Sequence, residues 1–265
     1  IMLKPLVDTL KSSYPINPLR IALYRSGEEA QEEVVPVSPC LNCYSISKSF
    51  TSIAVGIAQD MGLLKIEDPV LSFFSDRLPA SFDPKLNEVQ IRHLLCHTTG
   101  IDKGFLFETD RYTYPTDDWL ELCLSAELKH RPGEVFVYSN SNYYLLSCIL
   151  EQVTGMPLNL FLQKQLFGPL SFEGYAWECC PKGHTIGATG LYLRTMDLVK
   201  FGRMLMQQGL WEGKRIVSEN WIKSAVTPKA GQPHEKYFYG LIANGNDFMA
   251  CGAHSQILYV SPDKN

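Results

Sequence analysis

The chain has 265 residues, 45% hydrophobic and 20% charged, enough apolar material for a large core in one domain or two lobes. Lys+Arg number 24 against Asp+Glu 28, a net charge of −4, which does not fit the clustered basic surface of a nucleic-acid-binding protein. No apolar run approaches the length of a transmembrane helix, so no membrane span is expected.

Leu3 to Leu10 reads as a short amphipathic helix. Arg20 to Tyr24 reads as a strand, with Glu33 to Val37 as its hairpin partner. An amphipathic helix follows, opened by Tyr44-Ser45-Ile46-Ser47-Lys48-Ser49-Phe50. Ile46, Phe50, Ile53, Ile57 and Met61 repeat along one helical face, and Gly62 is a natural stop. Residues 67–79 are turn-rich and broken at Asp68-Pro69. Gln90 to Leu95 opens a further helix that ends at Gly100. Thr116 to Ala126, Ser141 to Thr154 and Pro157 to Gln165 also read as helical. Thr195-Met196-Asp197 caps a helix with Leu198, Phe201, Met204 and Leu205 on its apolar side, and Ser218 caps Glu219 to Ala225. Tyr237 to Ala243, Asp247 to Cys251 and Gln256 to Val260 are aromatic and β-branched, the composition of strands.

Strands at both ends and helices between them predict an α/β (α+β) fold. One antiparallel sheet is expected from the N- and C-terminal segments, flanked by helices, with a mainly helical lobe inserted. The domain spans 1–265, with an α/β lobe of 1–44 and 196–265 and a helical lobe of 45–195.

Eight cysteines occur, but a chain of this size needs no disulfide staples. Cys40 and Cys43 form a C-x-x-C pair with no second pair or histidines at ligand spacing, so no metal and no cofactor are expected. Free thiols suit a reducing, cytoplasmic setting. The first residue is Ile1 and not methionine, which leaves secretion open.

Ser45 and Lys48 lie three apart at a helix entrance, hence on the same side of its first turn. A serine hydroxyl becomes a nucleophile when a base takes its proton. A neighbouring lysine in a partly desolvated site can lose its own proton or steady that base. Serine is also a favoured N-cap, and the same S-x-x-K spacing recurs at Ser261-Pro262-Asp263-Lys264, where no helix is expected. Tyr138-Ser139-Asn140 precedes a helix. Tyr138 can relay a proton beside a cation, and the Asn140 amide can hold a substrate amide oxygen. Gly252-Ala253-His254-Ser255-Gln256 leads through small residues into a strand, offering backbone N–H groups to an oxyanion.

Together these segments resemble the serine β-lactamase and penicillin-binding-protein superfamily, in its class C β-lactamase-like branch of esterases, amide hydrolases and DD-peptidases. Ser45-Ile46-Ser47-Lys48 is like the nucleophile motif and Tyr138-Ser139-Asn140 like the Y-x-N motif. Gly252 to Gln256 stands where the family has K-T-G or H-x-G. Ile91-Arg92-His93-Leu94-Leu95-Cys96-His97-Thr98-Thr99-Gly100 and Gly190 to Leu198 look like two further family segments, in order.

The resemblance implies Ser45 as nucleophile, Lys48 as its activating partner, Tyr138 as base and later acid, and Asn140 as a substrate-amide ligand. It implies an oxyanion hole from the N–H groups of Ser45 and Gln256. The partner is then a small-molecule ester or amide, with the oligomeric state open. One departure stands out: Ala253 occupies the usual lysine position, followed by His254 and by Ser255 in place of glycine. Esters are therefore expected to outrank β-lactams. The competing reading is a non-catalytic ligand-binding module of the same fold. His93 and His97 are read as structural.

Overall fold

The computed structural model describes residues 3–14, 18–28, 31–34, 40–227, 233–234 and 236–264. Helix α1 (Leu3–Ser13) leads to strands β1 (Arg20–Leu23) and β2 (Gln31–Val34), an antiparallel pair; the expected residues 35–37 of β2 lie outside the described residues. Strand β3 (Leu41–Asn42) enters the Ser45 turn and helix α2 (Ser47–Asp60). The helices of the middle are α3 (Ile91–Leu95), α4 (Trp119–Leu124), α5 (Asn140–Thr154) and α6 (Leu158–Leu162). Strands β4 (Tyr175–Trp177) and β5 (Leu191–Leu193) join β3 in a small sheet ordered β3-β5-β4. After α7 (Thr195–Met206) come the short pair β6 (Leu210–Trp211) and β7 (Lys214–Arg215), then α8 (Glu219–Val226). Strands β8 (Tyr237–Phe238), β9 (Leu241–Asn244), β10 (Asp247–Gly252) and β11 (Gln256–Val260) form an antiparallel sheet ordered β11-β10-β9-β8.

The mixed helix and antiparallel-sheet class is as expected, and two details differ. Among the described residues, β1 and β11 share no ladder, so residues 20–23 and 256–260 lie in different sheets. Both instead pack on α7. Gly202 lets Leu258 approach to where a Cβ would stand, at 2.8 Å, and the Arg203 guanidinium lies over the Tyr24 ring. Second, 237–243 is not one strand. Tyr239 (φ 47) and Gly240 (φ 79) make a two-residue hairpin turn with both residues left-handed.

That turn is forced by the core. A Cβ on Gly240 would lie 2.9 Å from the Lys48 carbonyl, and the Gly240 carbonyl accepts the Ser49 hydroxyl at 2.7 Å. Helix α2 is buried on every side from Ser47 to Ala58, the position of a central helix. Its apolar side is anchored by Phe50 stacked on Phe201, ring centroids 3.9 Å apart. Its polar side chains find backbone partners, such as Thr51 on the Gly187 carbonyl at 2.7 Å. Helix α5 starts from Ser139, whose hydroxyl accepts the Ser141 N–H, and ends at left-handed Gly155 (φ 69).

Candidate active site

Ser45 sits in a 3-10 turn, Tyr44–Ile46, running directly into α2. Neither the turn nor the helix has a side-chain N-cap, so Ser45 is not a capping serine. The positive end of the helix dipole is directed at this turn. Tyr44 has φ 46, a left-handed conformation that is costly for an aromatic residue. Neighbours hold it there: its N–H donates to Asn42 Oδ1 at 2.8 Å, and Ser47 Oγ donates to its carbonyl at 2.6 Å. Ser47 Oγ also accepts the Leu191 N–H at 3.2 Å, tying the turn to β5.

Lys48 is fully buried. Its Nζ donates to Asn140 Oδ1 at 2.6 Å, to the Ala188 carbonyl at 2.9 Å and to Ser45 Oγ at 3.2 Å. Three oxygens thus converge on one buried amino group, and one of them is the serine oxygen. Its fourth neighbour is an aromatic face: Nζ lies 4.7 Å from the Tyr138 ring centroid, a cation–π contact.

Tyr138 is packed by the His97 ring (4.5 Å), by Phe107 in a stacked arrangement (6.4 Å) and by the edge of Tyr237 (5.9 Å). Among the described residues its hydroxyl bonds neither Ser45 nor Lys48. Catalytic hydrogen bonds commonly tighten only with substrate bound. Asn140 differs from expectation. It is buried, and its Nδ2 donates to the Leu106 carbonyl at 3.0 Å while its Oδ1 holds Lys48. In this geometry it orients the lysine and fastens the 104–108 segment to α5.

The third segment also differs. Ala253, His254 and Ser255 are exposed and form the turn of the β10–β11 hairpin, with Gly252 and Gln256 paired across it. His254 (φ 57) and Ser255 (φ 61) are left-handed, and the His254 ring lies 4.9 Å from that of Tyr44. Gly252 presses on the serine turn: a Cβ there would stand 2.4 Å from the Cys43 carbonyl. Only glycine permits that approach, so the sheet meets the nucleophile turn at the end of β10.

Sequence reasoning gave no role to the Ala188 carbonyl, a backbone acceptor with no side-chain signature, or to the Phe107 ring. The glycine on either side of the 188–189 step, Gly187 (φ 70) and Gly190 (φ 75), was the available signal for a tightly shaped loop. None of the eight cysteines forms a disulfide, and burial pushes the Cys43 thiol up to about 12. Among the described residues no group of three or more metal-ligating side chains comes together, and no single helix is long and apolar enough to cross a membrane.

A buried lysine on a helix-entry serine, beside Tyr138 and Asn140 and against an antiparallel sheet, defines a class. The Beta-lactamase family profile matches residues 22–265, and the chain belongs to that family. It is 26% identical over 141 residues to an N-acetylmuramyl-L-alanine amidase of Bacillus subtilis, a match covering 50% of this chain and 32% of the amidase. The chain therefore spans about a third of that curated relative's length. The fold superposes on a penicillin-binding protein from Bacillus halodurans with TM-score 0.73 at 17% identity, covering 93% of this chain and 89% of the other. A D-stereospecific amidohydrolase from Streptomyces sp. gives TM-score 0.64 at 19% identity, covering 91% and 81%. At such identities these two structures establish the fold alone.

Proposed function

We propose that the chain is a serine hydrolase that cleaves an ester or amide through an acyl-enzyme on Ser45. The observation that carries this reading is the buried Lys48 side chain, whose Nζ is bonded to three partners of which one is Ser45 Oγ. A positive charge there stabilises the negative charge that develops on the attacking serine oxygen. In the forward step Tyr138, reacting as its phenolate, takes the Ser45 proton, Oγ bonds the acyl carbon as the carbonyl π bond opens, and the tetrahedral oxyanion rests on the N–H groups of Ser45 and Gln256. Tyr138 returns the proton to the leaving alcohol or amine as the acyl–leaving-group bond breaks. Water then repeats the sequence and frees the acid. Family membership and the amide-cleaving names among its relatives support the amide or ester class.

The hairpin turn Ala253–Ser255 carries no lysine, so a substrate carboxylate finds no fixed cation there. Neutral acyl esters and amides are the favoured substrates, ahead of β-lactams. The test is a fluorophosphonate probe with intact-mass analysis. Stoichiometric labelling that disappears in Ser45→Ala supports the reading. Failure to label the folded protein would instead assign the cleft to non-catalytic ligand binding.

A further inference from the structure

His97 lies behind Tyr138 and is fully buried, yet its backbone is left-handed at φ 56. A strained, buried, non-glycine residue persists only where its surroundings over-determine it. Its contacts straddle Tyr138. The His97 carbonyl accepts the Val137 N–H at 2.8 Å, and its Nδ1 accepts the Ser139 N–H at 3.3 Å. One residue thus holds the backbone on both sides of the tyrosine, while its ring packs 4.5 Å from the tyrosine ring.

The tautomer follows from a donor that cannot be reassigned. A backbone N–H can only donate, so Nδ1 bears no proton, and the Asn142 amide at 2.9 Å must present Nδ2–H to it. Nε2 then carries the proton and donates to the Tyr237 hydroxyl at 3.2 Å. The groups facing the imidazole are Tyr138, Tyr143, Tyr237 and, through its charge, Lys48. Burial and that charge hold the ring well below its ordinary range, hence neutral.

We propose that His97 is the positioning residue for Tyr138, clamping the Val137–Ser139 backbone so that the Tyr138 ring stands against Lys48. The inference rests on the serine hydrolase reading. It goes beyond a structural role because the clamp acts through one atom, Nδ1, and the two amide substitutions separate the two ends of the ring. Asn places an acceptor near Nδ1, whereas Gln places its amide near Nε2.

The experiment compares His97→Asn and His97→Gln by ester kinetics and thermal unfolding, with Ser45→Ala as control. His97→Gln should lose about 10- to 100-fold in kcat with KM little changed, the scale of a misplaced catalytic group. His97→Asn should stay within about threefold of wild type, on the same scale. Equal activity in the two amides at equal folded fraction overturns the proposal, as does a loss explained wholly by unfolding. Should both variants fail to fold, Asn142→Asp serves. Its carboxylate demands a proton on Nδ1 and so strips the Ser139 N–H of its acceptor. The same kcat loss is expected there, and unchanged kcat overturns the clamp. Ester turnover surviving in Ser45→Ala would sink the hydrolase reading itself, a result separable from either amide outcome.

Discussion

Two places in this chain carry the same four-residue spacing of serine and lysine, and they have opposite fates. Ser45 and Lys48 enter a central helix, where the lysine is fully buried on three acceptors. Ser261 and Lys264 lie past the end of β11, with Lys264 exposed and the Ser261 hydroxyl donating to Asp247 at 2.5 Å. The spacing alone makes no site. What differs is long-range: the acceptors of Lys48 come from residues 140 and 188, far away in the chain, and they arrive because α2 is the core of the fold. A cation in water beside a serine polarises little, whereas one held dry against it acts at low effective dielectric.

The contrast breaks if Ser45→Ala retains ester turnover, since loss of the nucleophile should lower kcat by about 10³-fold or more. Ser261→Ala should leave kcat unchanged in the same assay. Lys48→Met is expected to cost about 10²-fold or more in kcat, the scale of one lost electrostatic donor, while Lys264→Met costs nothing. Equal effects of the two lysine variants would show that burial is irrelevant.

The third comparison concerns substrate. The ratio of kcat/KM for a p-nitrophenyl ester over a chromogenic cephalosporin should exceed one in the wild type. It should fall in Ala253→Lys by about 10-fold, the scale of one charge-assisted hydrogen bond. A ratio that does not move would remove the turn 253–255 from substrate recognition.

The smallest effect concerns buried basic groups. Burial and the Arg92 charge lower His93 from 6.5 to about 4, and His97 is held well below 6.5 too. Between pH 6.5 and 4 the unfolded chain binds protons that the folded chain refuses, so stability is greatest above pH 6.5 and falls as pH drops through that window. Urea midpoints against pH should show this slope, and His93→Gln should flatten it in part. A flat profile in wild type would contradict both burial assignments.

The local features were legible. Helix α2 and the Ser218 cap follow from apolar periodicity and end chemistry within a few residues, whereas Thr195 is the first residue of α7, whose cap position is Arg194 with no side-chain cap bond. Ser45 and Lys48 were visible for the same reason, being one turn apart. Features fixed by distant packing were not. The Tyr239–Gly240 turn exists because the sheet must clear the Lys48 backbone, which no window around 237–243 contains. Strands β1 and β11 look alike as paired partners, yet α7 receives each separately. The structural reading of His97 fits its burial, but the partners that hold it, Val137 and Ser139, lie about 40 positions onward and no local window contains them.

Gly240, in the β8–β9 turn, and Gly252, at the end of β10, sit at the same end of the sheet, and each comes against the backbone next to the nucleophile: one at Lys48, the other at Cys43. A side chain at Gly240 would meet the Lys48 and Ser49 backbone, and one at Gly252 the Cys43 carbonyl, so neither position can grow without prising the sheet off the nucleophile turn. The exposed 253–255 turn is under no such constraint and is where the surface beside Ser45 is free to vary.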